Sequence, residues 1–419
     1  MPALQSIEPT RTFPAKSLEF WFDYTCPFAY LGSTQASALA VRMNVTLDYR
    51  PLLLGGVFRA VGQEQNLAGA LGAAKAAHNA MDMQRWARRF GVELRMSPNH
   101  PMRSVEALRA TLATKIDPKV IDGFYRAYWV ENRDIADRDV VADVVGRAGH
   151  DAQAVLAAIN TQAIKDDLKK RTDEGIAHGM FGVPTWIVDG EHLYWGQDRM
   201  MFVEGRDPTD VKGPPRAPAA TKQKTLEVFW DFSSPFAYLG CAQVEALAKR
   251  TNAALRWRPI LLGGLFRSIG TPDVPLATFS QVKQRHIMKD IDRWAAYWGM
   301  PFKFPSRFPM NTVKALRTYL ALPQDRRSAY QSAAFRAFWA DDRDIGGDDV
   351  LVSCVGDEAI AKEALARASS DAVKGELRAN TEEAAKRGVF GVPTFIVGGD
   401  DLYWGQDRLE LVESALVSG

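Results

Sequence analysis

The sequence predicts two α/β domains in tandem, each made of a β-α-β unit, a helical insertion and a closing β-β-α segment. The first observation is a repeat: Cys26 and Ser234 stand 208 positions apart, and so do Trp86 and Trp294. The second is that each copy opens with an aromatic run followed by a polar turn and a helix-compatible stretch. The third is that each copy closes with two short β-rich runs and a final helix. A period this long indicates duplication of a whole domain.

Composition narrows the function classes. The chain has 419 residues, of which 47% are hydrophobic and 24% charged, so it can form more than one core. A formal net charge of +2 gives no electrostatic case for nucleic acid or a membrane surface. Its three cysteines, Cys26, Cys241 and Cys354, form no C-x-x-C pair and no metal-ligand spacing. We expect a cytoplasmic protein with a small-molecule partner and no metal.

The elements follow in the same order in both copies. The opening strands end near Asp23 and Asp231, and the second strands end at Pro51 and Pro259. A long Ala-rich region with many charged residues follows, and it predicts several amphipathic helices. The closing strands begin with Val-Pro-Thr, and the last helices begin near Gln-Asp-Arg. This order predicts a thioredoxin-like fold with an inserted helical subdomain.

Cys26 and Ser234 each precede a proline, which suits the first position of a helix. Both residues should therefore be helix N-caps, beside free backbone N–H groups and the positive end of the helix dipole. A thiolate held there is stabilised, so we expect a lowered pKa for the Cys26 thiol. The alternatives are an ordinary capping serine and a buried, inert cysteine.

We predict copy one over residues 17–205 and copy two over residues 224–419. A Pro-rich stretch, residues 206–223, should be an exposed linker between them.

Five motifs occur in the same order in both copies: D-x-x-(S/C)-P-F-x-Y-L, R-P-x-L-L-G-G-x-F-R-x-x-G, D-x-x-R-W-A, F-G-V-P-T and Y-W-G-Q-D-R. Together they resemble the 2-hydroxychromene-2-carboxylate isomerases, which group with the kappa-class glutathione transferases in the DsbA-like branch of the thioredoxin fold. The resemblance covers nearly all of both copies. It implies two tandem DsbA/kappa-class domains with glutathione as the cofactor.

The resemblance implies where glutathione binds. The valines before the prolines of the V-P-T turns would pair with its cysteinyl unit, the prolines would follow cis peptide bonds, and the valine N–H and C=O would be left unpaired. The W-G-x-D segments would line its γ-glutamyl end, and Asp198 and Asp407 would accept the ammonium. Alternatively, each Asp caps its helix or pairs with the next Arg. The predicted glutathione-binding residues are Val183, Pro184, Trp195, Gly196, Gln197 and Asp198 in copy one, and Val392, Pro393, Trp404, Gly405, Gln406 and Asp407 in copy two.

Ser234 matches the catalytic serine of the family, and Cys26 occupies the same place in copy one. Arg59 and Arg267 correspond to a basic position that binds the substrate carboxylate, although exposed structural arginines fit equally well. Asn311 lies in Phe-Pro-Met-Asn-Thr, which looks like the family's F-P-x-N-T segment; copy one has His-Pro-Met-Arg-Ser there.

The sequence thus predicts a glutathione-dependent isomerase or transferase acting on a conjugated or aromatic organic acid. One alternative is a glutathione-linked thiol–disulfide oxidoreductase that uses Cys26. Another is that one copy is a non-catalytic partner. We expect the two copies to form an internal pseudo-dimer.

Overall fold

The structure is a computed structural model that describes residues 15–64, 69, 71–205 and 223–418. The described residues form two compact units. Of the described residues, unit 1 contains 15–64, 69, 71, 79–205 and 280–285, and unit 2 contains 72–78, 223–279 and 286–418. Each unit therefore includes a short segment from the other sequence repeat. The predicted linker lies, except for residue 223, outside the described residues.

Copy one begins with a β-α-β unit and ends with a β-β-α unit, with helices between them. Its elements are β1 Ser17–Phe22, α1 Pro27–Met43, β2 Thr46–Pro51, α2 Leu54–Ala60, α3 Ala73–Phe90, α4 Val105–Ala113, α5 Pro118–Trp129, α6 Arg138–Arg147, α7 Ala152–Ala158, α8 Gln162–Ala177, β3 Thr185–Val188, β4 His192–Trp195, a 3₁₀ turn Gln197–Arg199 and α9 Met200–Glu204.

Copy two repeats this order. Its elements are β5 Thr225–Trp230, α10 Pro235–Thr251, β6 Ala254–Pro259, α11 Leu262–Ser268, a 3₁₀ turn Pro275–Thr278, α12 Gln281–Tyr297, α13 Val313–Ala321, α14 Gln324–Trp339, α15 Asp348–Val355, α16 Glu358–Arg367, α17 Asp371–Lys386, β7 Thr394–Val397, β8 Asp401–Trp404, a 3₁₀ turn Gln406–Arg408 and α18 Leu409–Val417.

Each unit contains a mixed four-stranded sheet. The strand orders are β2-β1-β3-β4 and β6-β5-β7-β8. The first two strands of each copy pair in parallel and are connected by a helix. The third strand pairs antiparallel with the first strand and with the fourth. The predicted fold class, two tandem thioredoxin-like α/β domains with inserted helices, is confirmed.

Buried tryptophans connect the helical insertions to the turns that follow the first strands. Trp129, at the end of α5, donates its indole N–H to the carbonyl of Tyr24 at 2.8 Å. Trp339, at the end of α14, makes the same bond to Phe232 at 2.8 Å. Both tryptophans are fully buried, so each contributes a large apolar contact as well as an oriented donor. The insertion thereby fixes the turn that precedes Cys26 or Ser234.

Within the described ranges, no helix combines the length and the apolar character needed to cross a membrane.

Candidate active site

Ser234 lies where the sequence predicts it, at the N-cap of α10 with Pro235 in the first helical position. Its hydroxyl oxygen accepts the N–H of Ala237 at 3.1 Å, and the hydroxyl donates to the carbonyl of Val392 at 3.0 Å. The residue is 5% exposed. Because proline lacks an N–H and fixes a helical φ, the chain turns into the helix at this point. The hydroxyl thus lies between a helix N-terminus and the loop that begins β7.

The Val392–Pro393 and Val183–Pro184 peptide bonds are both cis, as predicted. The expectation that the valine carbonyls are unpaired is wrong, because Val392 accepts the Ser234 hydroxyl and Val183 accepts the Cys26 thiol. Both valines are 4% exposed, and a buried carbonyl requires a donor when no ligand supplies one.

Gly240 allows α10 to approach the cis-proline loop. A Cβ at this position would lie 3.1 Å from Cγ of Pro393 and 3.1 Å from Cβ of Gln406. Gln406 is itself 3% exposed, so its side chain packs inside the unit. The helix that carries Ser234 therefore contacts both segments predicted to hold glutathione.

In the segment after β8, a glycine with positive φ is followed two residues later by a carboxylate. Gly405 has φ +103°, and a Cβ there would lie 2.6 Å from Oδ1 of Asp407. Asp407 pairs with Nη1 of Arg408 at 3.2 Å, and Asp198 pairs with Arg199 at 3.1 Å in copy one. The predicted alternative, pairing with the adjacent arginine, is thus present in both copies. In both copies the carboxylate of this Asp is partly exposed as well as paired with the arginine.

Asp231 connects three segments of the site, a role that the sequence reasoning missed. Its Oδ1 accepts the N–H of Ser233 at 3.0 Å and the hydroxyl of Thr312 at 2.7 Å. Its Oδ2 accepts the N–H of Leu262, the first residue of α11, at 2.7 Å. Burial raises the pKa of Asp231, although these donors act to lower it. The recurrence of Asp three positions before Ser234 and Cys26 was the available signal.

Asp23 is the equivalent buried acid in copy one and likewise accepts backbone N–H groups. Its Oδ2 accepts the N–H of Leu54 at 2.8 Å, and Oδ1 accepts the N–H of Thr25 at 3.1 Å. Burial raises the pKa of this carboxyl too, with the Ser104 hydroxyl among the groups that lower it. The two copies therefore share one arrangement of a buried acid beneath the helix start.

Cys26 departs from the sequence prediction. It is the N-cap of α1 and half-buried, and its thiol donates to the Val183 carbonyl at 3.1 Å. Burial raises the pKa of the Cys26 thiol to about 12; the N–H groups of Ala29 and Phe28 lower it, and the Asp23 charge raises it. The prediction of a lowered pKa is wrong, because desolvation of the thiolate exceeds the stabilisation available from a helix N-terminus.

The predicted substrate-binding residues lie at the starts and ends of the helices next to this site. Arg59 and Arg267 are exposed in the last turns of α2 and α11. Asn311 is exposed, and its side chain accepts the N–H of Val313 at the start of α13. In copy two, Asp231 binds Leu262, the first residue of α11, and Thr312, the N-cap of α13. The assignment of these three residues to substrate stays a prediction.

Two further cis bonds, His100–Pro101 and Phe308–Pro309, were not predicted. They fall in the segments that precede α4 and α13.

Comparison with known proteins gives a family match in both copies and several similar proteins. Residues 17–206 and 225–417 each match the model of the DSBA-like thioredoxin domain. A 2-hydroxychromene-2-carboxylate isomerase of Sphingobium xenophagum is 33% identical over 201 residues, which are 46% of this chain and 98% of that protein. Glutathione S-transferase kappa 1 of Rattus norvegicus is 26% identical over 204 residues, 45% of this chain and 89% of that protein. A solved structure of a 2-hydroxychromene-2-carboxylate isomerase has 27% identity and a TM-score of 0.40, covering 46% of this chain and 94% of that one.

The chain belongs to the DsbA-like thioredoxin domain proteins and contains that domain twice. Each relative matches about half of the chain, as a tandem duplication requires. Within this class the chain belongs with the 2-hydroxychromene-2-carboxylate isomerases and the kappa-class glutathione transferases, which is the predicted family. The prediction of an enzyme of the isomerase or transferase type agrees with these relatives.

Proposed function

We propose that copy two is a glutathione-dependent isomerase or transferase acting on a conjugated or aromatic organic acid. The observation that carries this proposal is the Ser234 hydroxyl, which lies at a helix N-terminus and donates to the carbonyl preceding cis-Pro393. A hydroxyl at the positive end of a helix dipole is suited to stabilising a thiolate.

The residues around Ser234 fit the chemistry of glutathione. The backbone of Val392 would pair with the cysteinyl unit, and the Asp407 carboxylate would accept the γ-glutamyl ammonium. Gly405 allows the Asp407 carboxylate to lie close to the backbone, because a Cβ at Gly405 would be 2.6 Å from Oδ1 of Asp407. Trp404 and Gln406 are the other residues of this segment that would line the ligand. The equivalent set in copy one fits in the same way.

Ser234 would change its hydrogen bond when ligand is bound. The Val392 carbonyl accepts the Ser234 hydroxyl in the structure. If an amide N–H of the ligand takes that acceptor, the hydroxyl is released and can turn toward a sulfur. The Ala237 N–H still donates to the hydroxyl oxygen and so polarises its O–H as a donor.

If glutathione is bound, it would supply a thiolate able to add reversibly to a conjugated carbon, which is the chemistry needed to rotate about a double bond and then restore it. The role of Ser234 is to keep that sulfur ionised. Arg267 would bind the carboxylate of the organic acid, with Asn311 beside it. Arg59 would have the corresponding place in copy one. No net oxidation or reduction occurs.

Copy one fits the role of a non-catalytic partner better than that of a thiol–disulfide oxidoreductase. A thiol whose pKa is raised to about 12 has almost no thiolate near neutral pH, and the thiolate is the species that attacks disulfides. A neutral Cys26 can still donate to Val183 or to a bound sulfur.

We also propose that residues 17–205 and 224–419 are the two domains and that they form an internal pseudo-dimer. Support comes from the matched domain in each half of the chain. The full chain with an engineered protease site within residues 206–222 tests this proposal. After cleavage the two halves should co-elute in size-exclusion chromatography, whereas separate elution would contradict it. The cytoplasmic location stays a prediction from the sequence.

Calorimetry with glutathione and turnover of a conjugated acid test the proposed function. Ser234→Ala should lower kcat/KM by about a hundredfold, because it removes one oriented donor to the developing charge. Asp407→Ala should weaken glutathione binding, and Cys26→Ser serves as the matched control in copy one. The proposal fails if the chain binds no glutathione, or if Cys26→Ser abolishes turnover while Ser234→Ala preserves it.

A further inference from the structure

Unit 2 contains a short segment, residues 72–78, that copy one encodes. It includes the first residues of α3. The Cβ of Ala74 lies 4.0 Å from the position that a Cβ at Gly388 would take, and Nζ of Lys75 lies 5.6 Å from the centre of the Trp404 ring. The segment thus packs against the end of β8 and the turn that follows α17.

His78 in this segment binds the backbone of the edge strand. Trp404 is the last residue of β8 and pairs with Thr394 of β7, while the next N–H, that of Gly405, donates to the Pro393 carbonyl. The Trp404 N–H donates to Nε2 of His78 at 3.2 Å. An edge strand has no further strand to accept such N–H groups. The imidazole therefore supplies the acceptor that the sheet does not.

The same imidazole contacts the cis-proline loop. Its ring centre is 5.5 Å from that of Phe390 and 6.3 Å from that of Trp404, in edge-on geometry, and His78 is 5% exposed. Trp404 in turn packs over Gly391, where a Cβ would lie 2.7 Å from the indole Nε1. His78 consequently contacts the two segments that contain Val392 and lead to Asp407.

Unit 1 likewise contains a helix start that copy two encodes, although this segment ends before His286. It contains residues 280–285 from the start of α12. Nζ of Lys283 lies 5.9 Å from the centre of the Trp195 ring, and Cγ1 of Val282 lies 3.6 Å from the position of a Cβ at Gly179. Lys75 and Lys283 are 208 positions apart, so equivalent helix starts occupy equivalent places. The exchange is a property of the fold and not of one local sequence.

We propose that His78 is a positioning residue for the glutathione site of copy two. By holding the Trp404 backbone and packing on Phe390, it keeps the turn at Asp407 and the carbonyl of Val392 in place for the ligand. This inference rests on the proposed function of that site. It means that copy two alone does not encode a complete site, because one of its supporting side chains comes from copy one.

Full-length variants test the role of His78 in an Asp198→Ala background, so that calorimetry with glutathione reports copy two. His78→Phe retains an aromatic ring but lacks the acceptor. It should weaken glutathione binding about three- to tenfold, the effect of losing one hydrogen bond. It should also speed hydrogen exchange at the Trp404 amide. His78→Gln, whose side-chain oxygen accepts, should restore most of both properties.

His150→Phe is the matched control, because the His150 imidazole bonds Asp117 within unit 1. It should change neither measurement. Should His78→Phe unfold the chain, His78→Asn replaces it, since the shorter side chain cannot reach the Trp404 amide.

Two results separate this inference from the proposed function. If the parent chain binds no glutathione, both are overturned. If the parent binds glutathione and His78→Phe binds it equally well, or leaves Trp404 exchange unchanged, the role of His78 alone is overturned. Rapid Trp404 exchange with weakened binding in His78→Phe, and recovery in His78→Gln, supports it.

Discussion

Gly240 offers a quantitative test of how the helix bearing Ser234 packs on the rest of the site. In a helix interior, replacing Gly by Ala ordinarily stabilises a protein by about 0.5–1 kcal/mol. At Gly240 the new Cβ would lie 3.1 Å from both Pro393 and Gln406, so these groups must shift by several tenths of an ångström. Overpacking of this kind costs about 1–3 kcal/mol. Gly240→Ala should therefore lower the free energy of unfolding by about 1 kcal/mol.

Gly375 is the matched control, since it lies within α17, is exposed and has no neighbouring atom within 4 Å of an added Cβ. Gly375→Ala should stabilise the chain by about 0.5–1 kcal/mol. Urea unfolding followed by tryptophan fluorescence measures both variants. Gly240→Ala should also weaken glutathione binding, because the crowded atoms belong to the proposed site. Equal stabilisation by the two substitutions would refute the close packing of α10 on the cis-proline loop.

Three further predictions concern buried charges. Burial raises the folded-state pKa of Asp231 above its ordinary value of 3.8. The wild type should therefore lose stability relative to Asp231→Asn as pH rises from about 4 through that higher pKa. Urea-unfolding midpoints of the two proteins that change in parallel across this range would contradict this. Because burial raises the pKa of the Cys26 thiol, iodoacetamide at pH 8 should alkylate Cys26 far more slowly than it alkylates glutathione. Asp23→Asn should speed this alkylation, because the charge of Asp23 also raises that pKa. A rate equal to that of a free thiol would contradict the burial argument. Burial acts to raise the pKa of Glu227, but Arg387 and Arg258 hold that pKa below its ordinary value. The stabilisation that Glu227 gives should therefore be present above about pH 4.5 and decline as pH falls. Glu227→Gln should lower the free energy of unfolding by about 1 kcal/mol in urea at pH 7.

The sequence was sufficient to predict the features that depend on local chain chemistry and on the repeat. Proline after Ser234 specifies a helix start, and an aromatic run before Asp231 specifies a buried strand. The order of such elements, found twice, predicted the fold and the duplication. The cis bonds at Pro184 and Pro393 followed from the resemblance of the V-P-T turns to a known family.

Local rules failed where the environment of a side chain is set by distant residues. A helix N-terminus favours a thiolate, but whether Cys26 ionises depends on burial against Val183 and on the charge of Asp23. Likewise, no residue pattern shows that the start of α3 packs in unit 2. His78 could be described from sequence only as a core or surface histidine, because its contact with Trp404 spans 326 positions.

A buried acid lies beneath each helix start, and it bears on the chemistry proposed for the two copies. Asp23 and Asp231 are required as acceptors by backbone N–H groups that would otherwise be buried without partners. A thiolate of the protein at the adjacent N-cap would have to form in a buried place beside that acid; burial opposes the ionisation of Cys26 most, and the charge of Asp23 adds to it. A serine at the same position avoids this conflict, since its hydroxyl acts while neutral and leaves the negative charge on a ligand. Under the proposed function the chain would thus use a bound thiolate at Ser234, whereas Cys26 is kept neutral first by burial and then by the charge of Asp23. Exchange of Asp23 for a neutral acceptor would remove only the smaller of these two effects.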